Sequence, residues 1–113
     1  MKVEFELLLD DGSGVLPFEW DADKDYENRQ KHGISFEEAA EIFQSDVLTV
    51  EDDSAYGERR EISFGRLGPD GGAPLILCVV HTDRDGVTRL ISARKATAHE
   101  RKEFDVHFDK TYH

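Results

Sequence analysis

The sequence has one cysteine, no apolar run long enough to cross a bilayer, and no apolar segment at its start. A single thiol, Cys78, excludes an internal disulfide, and its place inside the apolar run 75–80 indicates a buried, inert side chain. Met1-Lys2-Val3-Glu4 does not have the apolar region of a signal peptide. We therefore expect a cytoplasmic protein without membrane contact.

Several chemical signatures are also missing. The five histidines and Cys78 do not have the spacing of a metal site, so no metal and no cofactor is expected. There is no phosphate-binding glycine loop and no serine nucleophile elbow. The remaining reactive residues are Lys, His, Arg and Glu. Such a set can cleave RNA without metal, because the substrate's own 2′-hydroxyl is the nucleophile and the protein supplies proton transfer and cations.

Basic residues are scarce: 14 Lys and Arg stand against 25 Asp and Glu, for a net charge of -11. A protein that holds a long duplex by phosphate contacts is normally basic. Three possibilities are consistent with this composition. Nucleic acid is not the ligand, or a small positive site works inside a negative shell, or a basic partner supplies the missing charge.

What the chain of 113 residues does contain is the pattern of one soluble domain. Residues 75–80 form an apolar run typical of a central strand covered on both faces. Asp83-Arg84-Asp85-Gly86 predicts a turn, and residues 87–94 a returning antiparallel strand. Thr97 and Glu100 then form a capping box that begins a helix. Three arginines, Arg84, Arg89 and Arg94, are concentrated on this unit.

The first third of the chain predicts a hairpin followed by two helices. Apolar residues alternate from Val3 to Leu9, and residues 15–20 return after a glycine-rich turn; Trp20 is expected in the core. Asp21 can cap a helix that ends at Gly33. Lys31 and His32 fall in its last turn, where they either complement the helix dipole or serve catalysis.

The middle of the chain predicts a short helix and two strands. Ser35 and Glu38 form a second capping box. Residues 47–50 predict a brief strand, residues 51–54 an exposed acidic loop, residues 58–67 a longer strand and residues 68–74 a loop. The fold class is therefore α+β, a small antiparallel sheet with the helices packed on one face.

Four segments carry a resemblance to a known family, in matching order and separation from Phe18 to about Phe104. They are Phe18-Glu19-Trp20-Asp21, Lys31-His32-Gly33-Ile34-Ser35-Phe36-Glu37-Glu38-Ala39, Glu58-Arg59 and Arg89-Leu90-Ile91-Ser92-Ala93-Arg94-Lys95-Ala96-Thr97. Shorter matches accompany these segments at Lys24, Asn28, Ile42-Phe43 and Glu100-Arg101. Together they resemble the BrnT family of toxins. The sequence departs from the family pattern at His81, where the central strand commonly ends in tyrosine, and at Ala98-His99.

This resemblance implies a ribonuclease toxin of a bacterial type II toxin-antitoxin pair with a RelE-like fold. It implies RNA as substrate and neutralisation by a BrnA-like antitoxin with a ribbon-helix-helix domain, so that DNA is bound only through the complex. Residues 1–17 precede the family pattern and are expected to add a hairpin to a toxin domain of residues 18–113.

The same resemblance, with the cleavage chemistry above, suggests roles for six residues. His32 or Glu58 would transfer protons, and the phosphate would be stabilised by Lys31, Arg59, Arg89 and Arg94. For the arginines the alternative to phosphate binding is ion pairing with the abundant carboxylates. Ion pairing is favoured for Arg84 in its turn, whereas the two roles are equally supported for Arg94.

A second functional hypothesis comes from another class of protein. The acidic surface would complement a basic partner, as expected of an interaction module that binds a DNA-binding antitoxin and cleaves RNA feebly or not at all. Growth arrest on expression would favour the enzyme, and a stable complex without arrest would favour the module.

Overall fold

The computed structural model describes residues 1–52, 59–68 and 75–109 of the chain. Six strands and three α-helices follow one another along these residues, with one short 3₁₀ helix between the second helix and the third strand. In chain order they are β1 (Lys2–Leu8), β2 (Val15–Asp21), α1 (Ala22–His32), α2 (Phe36–Ala40), the 3₁₀ helix Glu41–Gln44, β3 (Leu48–Asp52), β4 (Arg60–Leu67), β5 (Leu75–Arg84), β6 (Val87–Lys95) and α3 (Ala98–Asp109).

All six strands form one sheet in the order β1-β2-β6-β5-β4-β3. Four neighbouring pairs are antiparallel, but β2 and β6 run parallel, with Glu19 opposite Arg89. The α+β class and the N-terminal hairpin at the sheet edge are therefore confirmed, whereas the sheet is mixed. Tight turns give antiparallel neighbours, while the β2–β6 pairing joins distant parts of the chain and has no local signal.

The predicted helix ends are confirmed by hydrogen bonds. The side chain of Asp21 accepts from the amide of Asp23, and Gly33 ends α1 with φ 72°, a conformation that favours glycine. Ser35 and Glu38 form the predicted capping box of α2. These local contacts fix where α1 ends, and therefore where Lys31 and His32 lie.

One face of the sheet, which we call the core face, packs against α2 and the 3₁₀ helix. It carries Phe18 and Trp20 of β2 and Leu77 and Val79 of β5, all buried. Trp20 contacts the ring of Phe36 edge-on, with 6.1 Å between centroids, so it is a core residue as predicted.

The opposite face, which we call the second face, packs against α3. A Cβ atom on Gly65 would lie 2.8 Å from Ile42 Cβ on the core face. The next residue, Arg66, lies on the other side, with its guanidinium 5.6 Å from the ring centroid of Phe104 in α3. The expectation that all helices pack on one face is therefore wrong. Because Ile76 and Cys78 make the second face of β5 apolar too, that face also needs cover, and α3 supplies it.

Some predicted segments lie partly outside the described residues. Glu51 and Asp52 belong to β3 and not to an acidic loop, and residues 53–54 of that predicted loop lie outside the described ranges, as do residues 69–74 of the second loop. Among the described residues, no helix is both long enough and apolar enough to cross a membrane.

Candidate functional site

The end of α1 is fixed beside β6 by the side chain of Asn28. Its Nδ2 donates to the carbonyl of Ala93 at 2.8 Å, and its Oδ1 accepts from the amide of Ala93 at 3.1 Å. The strand β2 pairs with β6 at Thr88 and Arg89 and does not reach Ala93. The side-chain amide of Asn28 therefore makes the two hydrogen bonds that a neighbouring strand would make to the backbone of Ala93. Nδ2 also donates to the carbonyl of Ile34 at 2.9 Å, which ties the end of α1 to the same point.

Lys31 and His32 are therefore held near the C-terminal half of β6. They follow Asn28 by three and four positions, so they lie on the same side of α1 one turn further on. Lys31 is exposed and His32 is half-buried. Within the described part of the chain, neither side chain makes a hydrogen bond or an ion pair.

Arg89 lies on the second face and is held by a carboxylate. Glu19 stands between the core residues Phe18 and Trp20, so its side chain points away from the core. Arg89 Nη1 donates to Glu19 Oε2 at 2.8 Å, and both side chains are mostly buried. The guanidinium is therefore oriented before any ligand binds.

Arg94 lies on the same face, beside α3. It follows the buried Ala93 and is opposite Cys78 of β5. Its Nη1 and Nη2 bind the two carboxylate oxygens of Glu100 at 2.8 and 3.0 Å, and Nη1 also donates to the carbonyl of Lys95 at 3.2 Å. Glu100 also accepts from the amide of Thr97, completing the predicted capping box.

This pairing changes the titration of Glu100 and leaves part of Arg94 free. Hydrogen bonding from Arg94 is the main cause that lowers the pKa of Glu100 from 4.5 to about 2. A guanidinium has five N–H donors, and three of those on Arg94 are used in the contacts described. Within the described ranges the Nε–H and one Nη2 hydrogen have no partner, and the side chain is 40% exposed, so one edge of the fork can still bind an anion.

Arg59 lies apart from these two arginines. It pairs with Glu51 at 3.1 Å in a cleft of about 550 Å³ beside the β5–β6 turn. Glu61, Asp83 and His81 line the same cleft, so carboxylates outnumber the single guanidinium there. Glu58, the other residue predicted from this segment, lies outside the described ranges.

His81 also lines this cleft and is buried. In the sequence it is recognisable only as a departure from the family pattern. Its Nε2 is 2.7 Å from Ser63 Oγ, which is 2.8 Å from Thr49 Oγ1. Burial lowers the pKa of His81 below 6.5, although the charge of Glu61 acts in the opposite direction, so the ring is neutral at pH 7. Thr49, Ser63 and Val79 lie opposite one another on β3, β4 and β5. This alignment depends on the register of the three strands, which the sequence does not give.

The predicted residues thus do not form a single cluster. β6 brings Arg89 and Arg94 to one face, and Asn28 places Lys31 and His32 near the Arg94 end, while Arg59 lies in a separate cleft. Across residues 1–52, 59–68 and 75–109, no three His, Cys, Asp or Glu side chains are grouped so that they could hold a metal ion.

Comparison with known proteins identifies the family. A family model described as the ribonuclease toxin BrnT of type II toxin-antitoxin systems matches residues 20–100, which is well over half of the chain. A search of curated proteins found no match. The matched region runs from the core tryptophan of β2 to Glu100 and contains α1, Asn28 and all of β6. The family suggested by the sequence motifs is confirmed, and the toxin class is favoured over the interaction module. The protein belongs to the BrnT family of ribonuclease toxins of type II toxin-antitoxin systems, with RNA as its substrate and a cognate antitoxin as its partner.

Proposed function

We propose that this toxin cleaves RNA on the second face of the sheet, with the scissile phosphate at Arg94 and a neighbouring phosphate at Arg89. The observation that carries the proposal is that β6 presents both guanidinium groups on one face, each oriented by a carboxylate. A β-bulge between these residues, next to Val80 and His81 of β5, places both arginines on the same face although they are five positions apart. Their partners on β5, Cys78 and Thr82, are four positions apart, which separates the arginines by roughly 13 Å, so they contact different phosphates of one strand.

The chemistry needs no metal in this proposal. The 2′-hydroxyl attacks the adjacent phosphorus, and the exposed edge of Arg94 stabilises the charge that develops on the phosphorane oxygens. Lys31 adds a second cation and His32 a proton-transfer group, because Asn28 sets their helical turn beside the Arg94 end of β6. Glu58 stays the alternative proton acceptor, and Arg59 is assigned to a flanking phosphate.

The net charge of -11 does not oppose this assignment at short range. At physiological ionic strength, repulsion between exposed charges is screened over about 8 Å. The carboxylates of Glu19 and Glu100 offset the positive charge of Arg89 and Arg94. They leave N–H groups on both guanidinium groups that can donate to a phosphate. RNA therefore contacts the second face by local hydrogen bonds and not by the field of the whole protein.

The products of cleavage test this mechanism. Attack by the 2′-hydroxyl leaves a 2′,3′-cyclic phosphate and a 5′-hydroxyl, and one 2′-deoxy nucleotide at the cleaved step blocks it. Purified toxin should therefore give cyclic phosphate ends on an RNA oligonucleotide and leave the matched deoxy-substituted oligonucleotide intact. A 5′-phosphate product, or cleavage of the substituted oligonucleotide at the same step, would show that the nucleophile is not the 2′-hydroxyl.

We further propose that the cognate antitoxin is BrnA-like, with a ribbon-helix-helix domain, and that the two proteins meet in the cytoplasm. The exposed surface of α1 and α2 supports a basic partner, because it is rich in carboxylates. These include Asp23, Glu27, Glu37 and Glu38. The complex should bind DNA upstream of its own genes in a gel-shift assay, and the free toxin should not. Equal DNA affinity of the free toxin would contradict this division of roles.

A further inference from the structure

Three cations near α3 stand out in a chain with an excess of carboxylates. Arg66 of β4 and Arg101 and Lys102 of α3 make no ion pair with any residue in the described ranges. By contrast, Arg59, Arg89 and Arg94 each bind a carboxylate within about 3 Å. Neither capping nor core packing accounts for Arg101 and Lys102, which are both exposed.

These three side chains line one cleft between β4 and α3. The cleft has a volume of about 520 Å³ and is also lined by Ile76, Ala98 and Asp105. Ile76 is buried, and the guanidinium of Arg66 lies over the ring of the buried Phe104, which restricts its position. Three cations against one carboxylate make the cleft positive where most of the surface is negative.

The cleft adjoins the proposed cleavage site on the same face. Arg66 is opposite Ile76, and Arg94 is opposite Cys78, so the two arginines are two strands and two residues apart. With the usual spacings within a sheet, this places their backbones roughly 12 Å from each other. A single RNA strand that contacts Arg94 can therefore reach the cleft within a few nucleotides.

We propose that the cleft lined by Arg66, Arg101 and Lys102 binds the phosphate backbone of the RNA on one side of the cleaved step. The inference rests on the proposed function in taking RNA as the ligand. Phosphates suit the site because its polar groups are almost all cationic donors. Binding here adds affinity for long RNA without taking part in the chemical step, and compensates locally for the unfavourable net charge.

Charge removal with a matched control tests this site. Arg101→Gln/Lys102→Gln removes two cations from exposed helix positions. Lys2→Gln/Lys24→Gln removes the same charge from exposed positions on β1 and α1. Affinity is measured from 50 to 500 mM salt with 2′-O-methyl RNA, which cannot be cleaved because its nucleophile is blocked. Cleavage is measured separately with a short and a long unmodified RNA.

For the cleft variant we expect the slope of log K against log salt to flatten by about 1.4, or 0.7 for each lost contact with a single strand. At 150 mM salt the affinity should fall about tenfold. KM should rise for the long RNA alone, with kcat unchanged, and the control variant should behave like the wild type.

Three results would overturn the proposal. An unchanged slope would mean that the cleft does not contact phosphates, and an equal change in the control would mean that net charge alone matters. Loss of antitoxin binding with RNA binding unchanged would assign the cleft to the antitoxin. Because binding is measured on uncleavable RNA, the cleft can be judged even if the cleavage site at Arg94 is wrong.

Discussion

In the proposed mechanism, Arg94 combines two roles that are usually assigned to different residues. One edge of its guanidinium binds Glu100 and so joins β6 to α3, while the side chain as a whole is partly exposed. The sequence alone leaves ion pairing and phosphate binding as alternatives. The geometry shows that the ion pair exists and that it does not use every donor, so the two roles are compatible.

Substitution of Arg94 separates these roles. Arg94→Ala should lower cleavage on the order of 10²-fold or more, the scale of losing one transition-state donor. Arg94→Lys should not restore activity, because an ammonium has no planar fork. Rates are measured with purified protein whose folding is checked by circular dichroism and antitoxin binding.

Glu100→Gln is the matched control. It weakens the same ion pair but keeps an oxygen for the amide of Thr97 and leaves Arg94 in place. If Arg94 acts only through the ion pair, both variants should lose stability and activity to the same extent. Normal cleavage by Arg94→Ala would rule out its catalytic role.

The lowered pKa of Glu100 predicts a pH dependence of stability. Its folded pKa of about 2 is below its ordinary value of 4.5, so the carboxylate stabilises the fold above pH 4.5. This contribution is lost as the pH falls from 4.5 towards 2. Because the pair is partly exposed, we expect it to contribute only on the order of 1–2 kcal/mol at pH 7.

Urea unfolding of the wild type and Glu100→Gln measures this contribution. The difference in unfolding free energy between the two proteins should be largest at pH 7 and should narrow at pH 3. A difference that stays constant between pH 7 and pH 3 would mean that Glu100 titrates in the folded protein as it does in the unfolded chain.

At the scale of elements, Asn28 connects α1 with β6 and so explains why two distant family motifs are neighbours. Lys31-His32-Gly33 ends the helix that carries Asn28, and the motif from Ile91 to Arg94 includes its partner Ala93. Sequence patterns predicted both elements and their ends correctly, because caps and apolar periods are local. They could not predict this contact, which spans 65 positions.

Asn28→Ala should therefore destabilise the protein more than replacement of an exposed polar residue on the same helix. It leaves the amide and carbonyl of Ala93 and the carbonyl of Ile34 without this partner in a buried place, a cost of about 2–3 kcal/mol. Gln30→Ala, on an exposed position of the same helix, is the control and should change stability by less than about 0.5 kcal/mol. Equal effects of the two substitutions in denaturant unfolding would show that the Asn28 bridge carries no stability.

The N-terminal hairpin is a second element whose role can be tested. Removal of residues 1–17 would cut β2 at its third position, so the deletion should be limited to residues 2–9. Val3, Phe5 and Leu7 of β1 face the core, and Phe5 lies 5.6 Å from Trp20 between ring centroids. Their loss should cost at least about 3 kcal/mol of unfolding free energy.

Cleavage by the truncated protein that remains folded should be unchanged at low temperature, because β1 is at the sheet edge and β6 carries the proposed site. Melting temperature and cleavage rate are measured on the same preparation. A selective loss of cleavage with unchanged melting would place β1 in the site. The division at residue 17 itself stays a prediction.

For the whole molecule, the sequence could predict the class of fold but not the arrangement of its charges. The continuous apolar run of β5 indicated cover on both faces, yet only the structure shows that α3 provides the cover of the second face. In β4 the core face carries Ser63 and Gly65 and not the more apolar Ile62 and Phe64, so polarity does not predict which side of this strand is inside. The face on which Arg66 lies, and therefore its cleft with Arg101 and Lys102, could not be predicted from the sequence.

The metal independence of cleavage is a prediction for the whole molecule, because a net charge of -11 attracts divalent cations whether or not they take part in chemistry. Mg²⁺ should raise RNA affinity by screening repulsion, an effect that NaCl can reproduce. In the proposed mechanism the phosphorane is stabilised by Arg94 and Lys31, so no step needs a bound ion. Cleavage in EDTA should therefore match cleavage in Mg²⁺ within about twofold when NaCl is adjusted to equal ionic strength. If EDTA abolishes cleavage and only a divalent ion restores it, a metal performs the work assigned to these cations, and the proposed mechanism at Arg94 is wrong.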